Sequence, residues 1–276
     1  MRLRLTLVPR LRNCSITLSY NYYLSSAIYK WIETSSPQHS KFLHDRGFSI
    51  EGTSKSFKHF CFSQLMVNDR KIQAGRLYIL SPQITWYVSM PVEVSLRHLV
   101  LGIFEKRSFH IEREENEFAV DHVEALPDVT WTRRMKFRML SPLTVSVPEV
   151  RNGKLQPHYL RADDGRLSDA IRANILNKYK SLYEGEPVDS DFSCVLDERF
   201  IADRGGPERL SKLITIKEGL AAETKVRGFM CPLTIEGNPE LTKLAYESGL
   251  GEKGSMGFGM LEIMHGASGE RMPKSD

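Results

Sequence analysis

This chain is poor in cysteine and has no closely paired cysteines. Cys14, Cys61, Cys194 and Cys231 are scattered over 276 residues, and no Cys-x-x-Cys occurs. A zinc ribbon or finger is thereby excluded, and reduced, buried thiols are expected rather than a disulfide framework. Long apolar runs are missing too. No window approaches the ~18 consecutive apolar residues of a membrane span. Met1 leads into Arg2-Leu3-Arg4-Leu5-Thr6-Leu7-Val8, which is too short and too charged for the apolar region of a signal peptide. A cytoplasmic protein with no membrane partner is the expectation. Charge of one sign does not dominate: 38 Lys and Arg stand against 34 Asp and Glu, a net +4. That balance allows a nucleic-acid partner without demanding one. No Gly-Lys-Ser/Thr phosphate loop is present, and no Lys/Arg-Gly-Phe/Tyr-Gly/Ala-Phe signature of a general RNA-recognition domain. Metal-dependent chemistry would need clustered carboxylates, and Asp163-Asp164 and Asp189-Ser190-Asp191 read as loop residues instead. No metal and no cofactor are therefore expected.

What the chain does have is glycine in one place. Gly249, Gly251, Gly254, Gly257 and Gly259 fall within eleven residues, with Lys253 among them. Glycine permits positive φ and close approach of a backbone, and successive N–H groups in such a loop can bind an anion. The segment before it, Asn238 to Glu247, reads as a short helix with Pro239 at its first position, and an apolar strand, Met260 to Met264, follows. A dinucleotide or Walker loop has the opposite order, strand before helix. A tight structural turn and an anion cradle are both open on these residues alone.

The rest of the chain reads as two halves of one plan. Arg2 to Val8 alternates with period two, as a half-buried strand does. A helix from Tyr22 to Glu33 carries Leu24, Ile28, Trp31 and Ile32 on one face, and a second runs from Pro37 to Asp45, capped by Ser36 and stopped by Gly47. Strands fit Lys58–Met66, Arg76–Ser81 and Ile84–Met90, then a helix Val92–Lys106, then a closing strand Ser108–Glu112. The second half repeats this with strands Lys136–Leu140 and Leu143–Val145 and a helix Leu167–Tyr183. Strands Phe192–Leu196, Leu213–Glu218 and Lys225–Ile235 follow, then the helix before the glycine loop and the last strand. Strand–helix–strand–strand–helix–strand, written twice, is the split βαβ plan. The expectation is an α+β protein with an N-terminal domain over 1–126, a C-terminal domain over 127–265 and a disordered tail over 266–276.

Three stretches resemble a known family. They are Tyr22-Tyr23-Leu24 through Ile28-Tyr29 to Phe42-Leu43-His44, then Ser141-Pro142-Leu143-Thr144-Val145, and, most specific, the Gly249–Gly259 loop. In order and spacing they resemble the CRISPR repeat-processing endoribonucleases, across essentially the whole chain. The resemblance implies two tandem ferredoxin-like domains with a cleft between them. It further implies metal-independent cutting of precursor RNA within repeats, leaving a 2′,3′-cyclic phosphate and a 5′-hydroxyl. CRISPR repeat RNA is the implied partner, with other effector-complex proteins and a homodimer left open. A non-catalytic relative that holds repeat-derived RNA is the rival reading.

Attack of a 2′-hydroxyl on the adjacent phosphorus needs a base, an acid and positive charge for the phosphoryl oxygens. His44 lies in the last turn of the second helix, where a helix C-terminus favours an imidazolium, and it matches the family histidine. A surface histidine at a helix end is the bland alternative. Tyr29 sits off the apolar stripe of its helix and matches a family tyrosine placed to orient the scissile phosphate. Lys58 precedes an aromatic-rich strand and matches a family lysine, but the loop before it is long and Lys55 is a rival. His39 is expected to be solvent-exposed, and His59, His98, His110, His122, His158 and His265 are read as structural or solvated. For RNA binding, the candidates are Gly249, Gly251, Lys253, Gly254, Gly257 and Gly259 in the loop. Arg133, Arg134, Lys136 and Arg138 form a basic lead-in to the second domain, and Lys225 and Arg227 share one face of a hairpin strand. If the loop cradles a phosphate, Gly251 and Gly257 keep space for it, and a side chain there harms binding more than stability.

Overall fold

A computed structural model of the protein describes residues 1–264 apart from 152 and 184. His265 and the tail over 266–276 lie outside the described residues.

Leu3, Leu5 and Leu7 of the strand Arg2–Pro9 are buried, as alternation requires. The strand lies inside a five-stranded antiparallel sheet in the order Cys61–Phe62, Ile84–Ser89, Arg2–Pro9, Arg113–Ala125, Ser108–Ile111. Helices Asn21–Ser35 and Glu93–Lys106 supply the other half of the core. Their crossing is tight: a Cβ at Gly102 would stand 1.8 Å from the Trp31 carbonyl oxygen. Trp31, Trp86 and Phe109 then pack with ring centroids 5.3 to 6.0 Å apart.

The second half repeats this order. Phe192–Leu196, Leu233–Gly237, Arg134–Met139 and Leu261–Ile263 form a four-stranded antiparallel sheet, in that spatial order. Helices Leu167–Leu182 and Pro239–Ser248 cover it, with Phe137, Ile171, Ile175, Ile235 and Leu241 in the core. In both sheets the first and third strands of the βαββαβ unit are central. The chain is thus two tandem ferredoxin-like domains. Among the described residues no helix is long and apolar enough to cross a membrane.

Several elements differ from expectation. The helix placed over Pro37–Asp45 is α-helical only to Lys41 and closes as a π-helical turn, Phe42–Arg46. The strand placed over Lys58–Met66 is reduced to Cys61–Phe62. The N-terminal unit does not close at Glu112: the chain turns there with φ +68° and continues as Arg113–Ala125, which pairs with the first strand. Its charged, alternating sequence hides a half-buried strand. Leu143–Val145 makes only an isolated bridge, Leu143 to Phe229. Lys225–Ile235 is two strands in different sheets, Thr224–Phe229 and Leu233–Gly237, broken around Pro232. A hairpin of Ser146–Arg151 with Lys154–Tyr159 was not expected at all.

The seam between the domains is polar and specific. Arg2 breaks the alternation of its strand and is buried across the seam. Its guanidinium lies 3.5 Å over the Tyr246 ring and donates to the Tyr246 carbonyl at 2.7 Å and to that of Leu261. The Gln64 N–H donates to Leu140 O at 3.0 Å, and Asn21 Nδ2 donates to Met256 O at 2.9 Å. The second of these ties the first helix to the glycine loop.

Candidate active site

Three of the expected residues meet at one corner of the N-terminal domain. Ser36 caps the short helix by accepting from the His39 N–H, and Ser40 Oγ donates to Tyr29 O at 3.1 Å, pinning that helix to the first. The π-helical turn then buries Leu43 fully and leaves the next residue, His44, outside with its side chain 72% exposed. Such turns insert one residue and redirect side chains, often at working sites. The Tyr29 ring meets the His44 ring edge-on, centroids 5.5 Å apart, and meets Phe60 at the same separation. Burial pushes the Tyr29 phenol up to about 12, so near neutral pH it is a hydrogen donor and not a base.

Lys58 arrives from across a turn. Gly47 has φ +65°, and a Cβ there would stand 2.6 Å from Phe57 O and 3.0 Å from Lys58 Cδ. Its bareness lets Lys58 pass, and Lys58 Nζ donates to His44 O at 2.9 Å. Burial lowers the Lys58 pKa, opposed by the charge of Asp45. Lys55 lies in the exposed turn between Ile50 and Ser56, where its main chain closes the turn to Ile50 and Thr53.

Asp45 is a site residue the sequence reading passed over. His44 Nδ1 lies 2.9 Å from Asp45 Oδ1, and that hydrogen bond is the main cause of the lowered Asp45 pKa. A carboxylate accepts, so Nδ1 carries the proton and Nε2 is left as the working nitrogen. The adjacent His-Asp pair was the available signal. It is weak, because neighbours in a helix rarely face each other.

His59 was read as structural or solvated, and it is structural. It is neither solvated nor local in its contacts: it is 4% exposed and has φ +49°. The Ser181 hydroxyl donates to Lys178 O at 2.8 Å, so its oxygen accepts from His59 Nε2, 2.8 Å away across the seam. Burial, aided by the charge of Lys178, lowers the His59 pKa to about 3. The left-handed backbone turns His59 inward while Lys58 points out toward His44. His39, expected to be solvent-exposed, is half-buried: its Nε2 is 2.8 Å from Ser95 Oγ and its ring centroid 5.2 Å from that of His98.

The glycine loop sits in the seam, and the space its glycines keep is filled by protein. A Cβ at Gly251 would be 2.6 Å from Thr144 O. At Gly257 it would be 2.4 Å from the Phe62 ring, at Gly259 1.9 Å from Leu250 O, and at Gly249 2.9 Å from Cys61 Cβ. At Gly254 it would be 2.8 Å from both Phe60 O and Ser248 O. The expectation that Gly251 and Gly257 keep room for a phosphate is thus corrected: Gly257 serves a close approach between the two domains, and Gly251 one within the second. The Ser141–Val145 stretch is the socket. Gly259 N donates to Pro142 O and Glu252 N to Thr144 O, each at 2.8 Å. Lys178, 4% exposed, donates from Nζ to Gly249 O at 2.5 Å and so caps the preceding helix, while burial lowers its pKa to about 8. Only the crest of the loop is open. Lys253, with φ +57°, is exposed there. The crest and Lys58 line one groove of about 360 Å³, with Phe57, Lys58, His59 and Phe60 on one side and Gly251 to Met256 on the other; Tyr29 and His44 lie outside its lining.

The basic lead-in is not a free cationic face. Arg133 is paired with Asp189 and Asp191 at 2.9 and 2.8 Å, Arg134 with Glu236 at 3.1 Å, and Arg138 with Glu262. Lys136 is exposed beside them without a described ion pair. Lys225 and Arg227 do share the exposed face of the Thr224–Phe229 strand, with Val226 buried between them.

The chain matches two family models: "CRISPR-associated protein Cas6, N-terminal" over residues 15–124 and "CRISPR associated protein Cas6, C-terminal" over 125–263. It is 29% identical to a CRISPR-associated endoribonuclease Cas6 of Pyrococcus furiosus over 266 residues, 95% of this chain and 90% of that one. It is 26% identical to a CRISPR-associated endoribonuclease-like protein Cas6nc of Pyrococcus horikoshii, covering 96% of this chain and all of that one. A solved structure of a Cas6-related gene product from Pyrococcus furiosus superposes with TM-score 0.80 at 26% identity, over 96% of this chain and 98% of the other.

Proposed function

The chain belongs to the Cas6 family, and on that footing we propose that Tyr29, His44 and Lys58 are the groups with which it cuts RNA. It is an endoribonuclease of CRISPR precursor RNA. The observation that carries the site is the convergence of the three side chains on one exposed corner, with Lys58 Nζ 2.9 Å from the main chain of His44. Endoribonuclease-like relatives make a non-catalytic role the natural rival. The convergence favours the enzyme, because an imidazole for proton transfer, a phenol donor and an ammonium are together what metal-free phosphoryl transfer needs.

The 2′-oxygen bonds to phosphorus as the bond from phosphorus to the 5′-oxygen breaks. His44 Nε2 takes the 2′-proton and then gives a proton to the departing 5′-oxygen, with Asp45 holding the imidazole through Nδ1. Tyr29, protonated, donates to a phosphoryl oxygen. Lys58 places positive charge where the phosphorane gains negative charge. The groove leads the strand from Lys253 toward this corner, and its cations track the backbone. Lys136, Lys225 and Arg227 extend that path in the second domain. We take residues 1–126 as the cutting domain and 127–265 as the holding domain, and CRISPR repeat RNA as the partner. The four free cysteines are all buried, which suits a cytoplasmic setting.

The test is incubation with repeat RNA in excess EDTA, followed by end-group analysis. Cutting should persist and leave a 2′,3′-cyclic phosphate. A 2′-deoxyribose before the cut should leave RNA bound and intact. A strict Mg²⁺ or Mn²⁺ requirement, or a 3′-hydroxyl product, overturns the mechanism.

A further inference from the structure

A second concavity, of about 300 Å³, opens on the helical face of the N-terminal domain. It lies between helix Asn21–Ser35, the end of helix Glu93–Lys106 and the strand Ser108–Ile111. Its floor is closed by Ala27, Trp31 and Phe109, each no more than 6% exposed. Its rim is cationic and hydroxylated: Lys30 and Lys106 are exposed, as is His110, and Tyr23 and Ser26 are half-buried. No carboxylate lines it. Glu112 and Glu218 lie toward Tyr23; Glu112 is committed to Arg76 at 2.8 Å, and Glu218 accepts from Thr17 Oγ1 at 3.1 Å. Among the described residues the side chains of Lys30, Lys106 and His110 form no ion pair or hydrogen bond. An apolar floor, a flat aromatic wall and two uncommitted ammonium groups at one rim match the parts of a nucleotide. A base needs the floor and the ring, and its phosphate needs the lysines. An inorganic anion would leave the floor unused, and an apolar ligand would leave the lysines without a partner.

The position also fits. Tyr23, Ser26 and Lys30 follow at i, i+3 and i+7, so they form one stripe of the first helix. Lys30 follows Tyr29 directly, about 100° round the axis, and Ser26 lies one turn before Tyr29. The open side of this helix therefore runs from the cutting corner to the concavity, over about 9 Å of axis from Tyr29 to Tyr23. We propose that the concavity holds a nucleotide of the substrate strand outside the cut, its base beside Tyr23 and its phosphate between Lys30 and Lys106. This rests on the endoribonuclease reading above.

The test uses the full chain, labelled repeat RNA and a short RNA holding only the nucleotides that flank the cut. Lys30→Ala with Lys106→Ala should weaken repeat-RNA binding about tenfold and lower the salt slope by about 0.7 to 1.4, the value for one or two phosphate contacts on a single strand. Tyr23→Leu should weaken it by about fivefold or more through lost stacking. Both losses should appear in KM rather than kcat and shrink on the short RNA. Both lysines are exposed, so an unchanged melting temperature is the control for folding. Wild-type binding of repeat RNA by both variants overturns the proposal, as does an equal loss on long and short RNA. So does a result in which only the capture of a protein partner changes. If the wild-type chain binds repeat RNA but never cuts it, and the variants still lose affinity, the cutting mechanism fails and the subsite stands.

Discussion

Lys58 Nζ donates to the main-chain carbonyl of His44 at 2.9 Å, across a turn that only Gly47 leaves open. The contact joins two segments fourteen residues apart, and it places a cation beside the imidazole without pairing the two side chains. Lys58→Ala should slow cutting by about 10²-fold or more, with repeat-RNA affinity nearly kept, whereas Lys55→Ala should stay close to wild type. Single-turnover rates for the two variants decide between them; a large defect in Lys55→Ala alone would move the role to the rival lysine.

His44→Ala should slow cutting by about 10²–10⁴-fold, the range for losing a general acid or base, with RNA still bound. Filter binding beside single-turnover kinetics separates the two effects. A variant that fails to bind would make His44 a binding element instead.

Asp45→Asn should give a milder defect, on the order of tenfold, because the His44–Asp45 pair is exposed and screened by solvent. The expected signature is a changed pH–rate profile with unchanged melting temperature. No change in either would remove Asp45 from the site.

Gly251→Val should cost on the order of 3 kcal/mol of stability, since its φ is +74° and its Cβ meets Thr144 O. Lys253→Ala should leave the melting temperature alone and lower the salt slope of RNA binding by about 0.7. Thermal melts and affinities at two salt concentrations check both. A stable Gly251→Val variant that merely loses RNA would restore the phosphate-cradle account of that glycine.

His59 makes stability depend on pH. Its pKa falls from the ordinary 6.5 to about 3 on folding, so between those values the unfolded chain binds more protons. Its stabilising effect is complete above about pH 6.5 and is lost as pH falls toward 3. Denaturant melts between pH 7 and 4 should show a decline that His59→Gln flattens. An equal decline in that variant would assign the acid sensitivity elsewhere.

Much of the fold was legible in local pattern. The alternation of Leu3, Leu5 and Leu7 and the stripe of Leu24, Ile28, Trp31 and Ile32 both end in the core. Tyr29 and His44 were legible as a pair through the family resemblance, and the structure carries both on adjoining helices. The strand Arg113–Ala125 was not legible, since Glu114, Glu115 and Glu117 mask its half-buried face. The π-helical turn at Phe42–Arg46 was hidden as well, because it has no composition of its own.

By itself the sequence determined two repeated α+β units and the glycines of the loop, while the residue types at the proposed cutting corner came through the family resemblance. The units and the glycines depend on periodicity and backbone freedom, which are local properties. Tertiary structure alone decided that Lys58 and not Lys55 reaches His44, and that His59 bridges to Ser181. It also decided that Arg133, Arg134 and Arg138 are neutralised by carboxylates. Burial and ion pairing depend on what lies opposite in space. For these residues the opposite partner is 14 to 124 positions away along the chain.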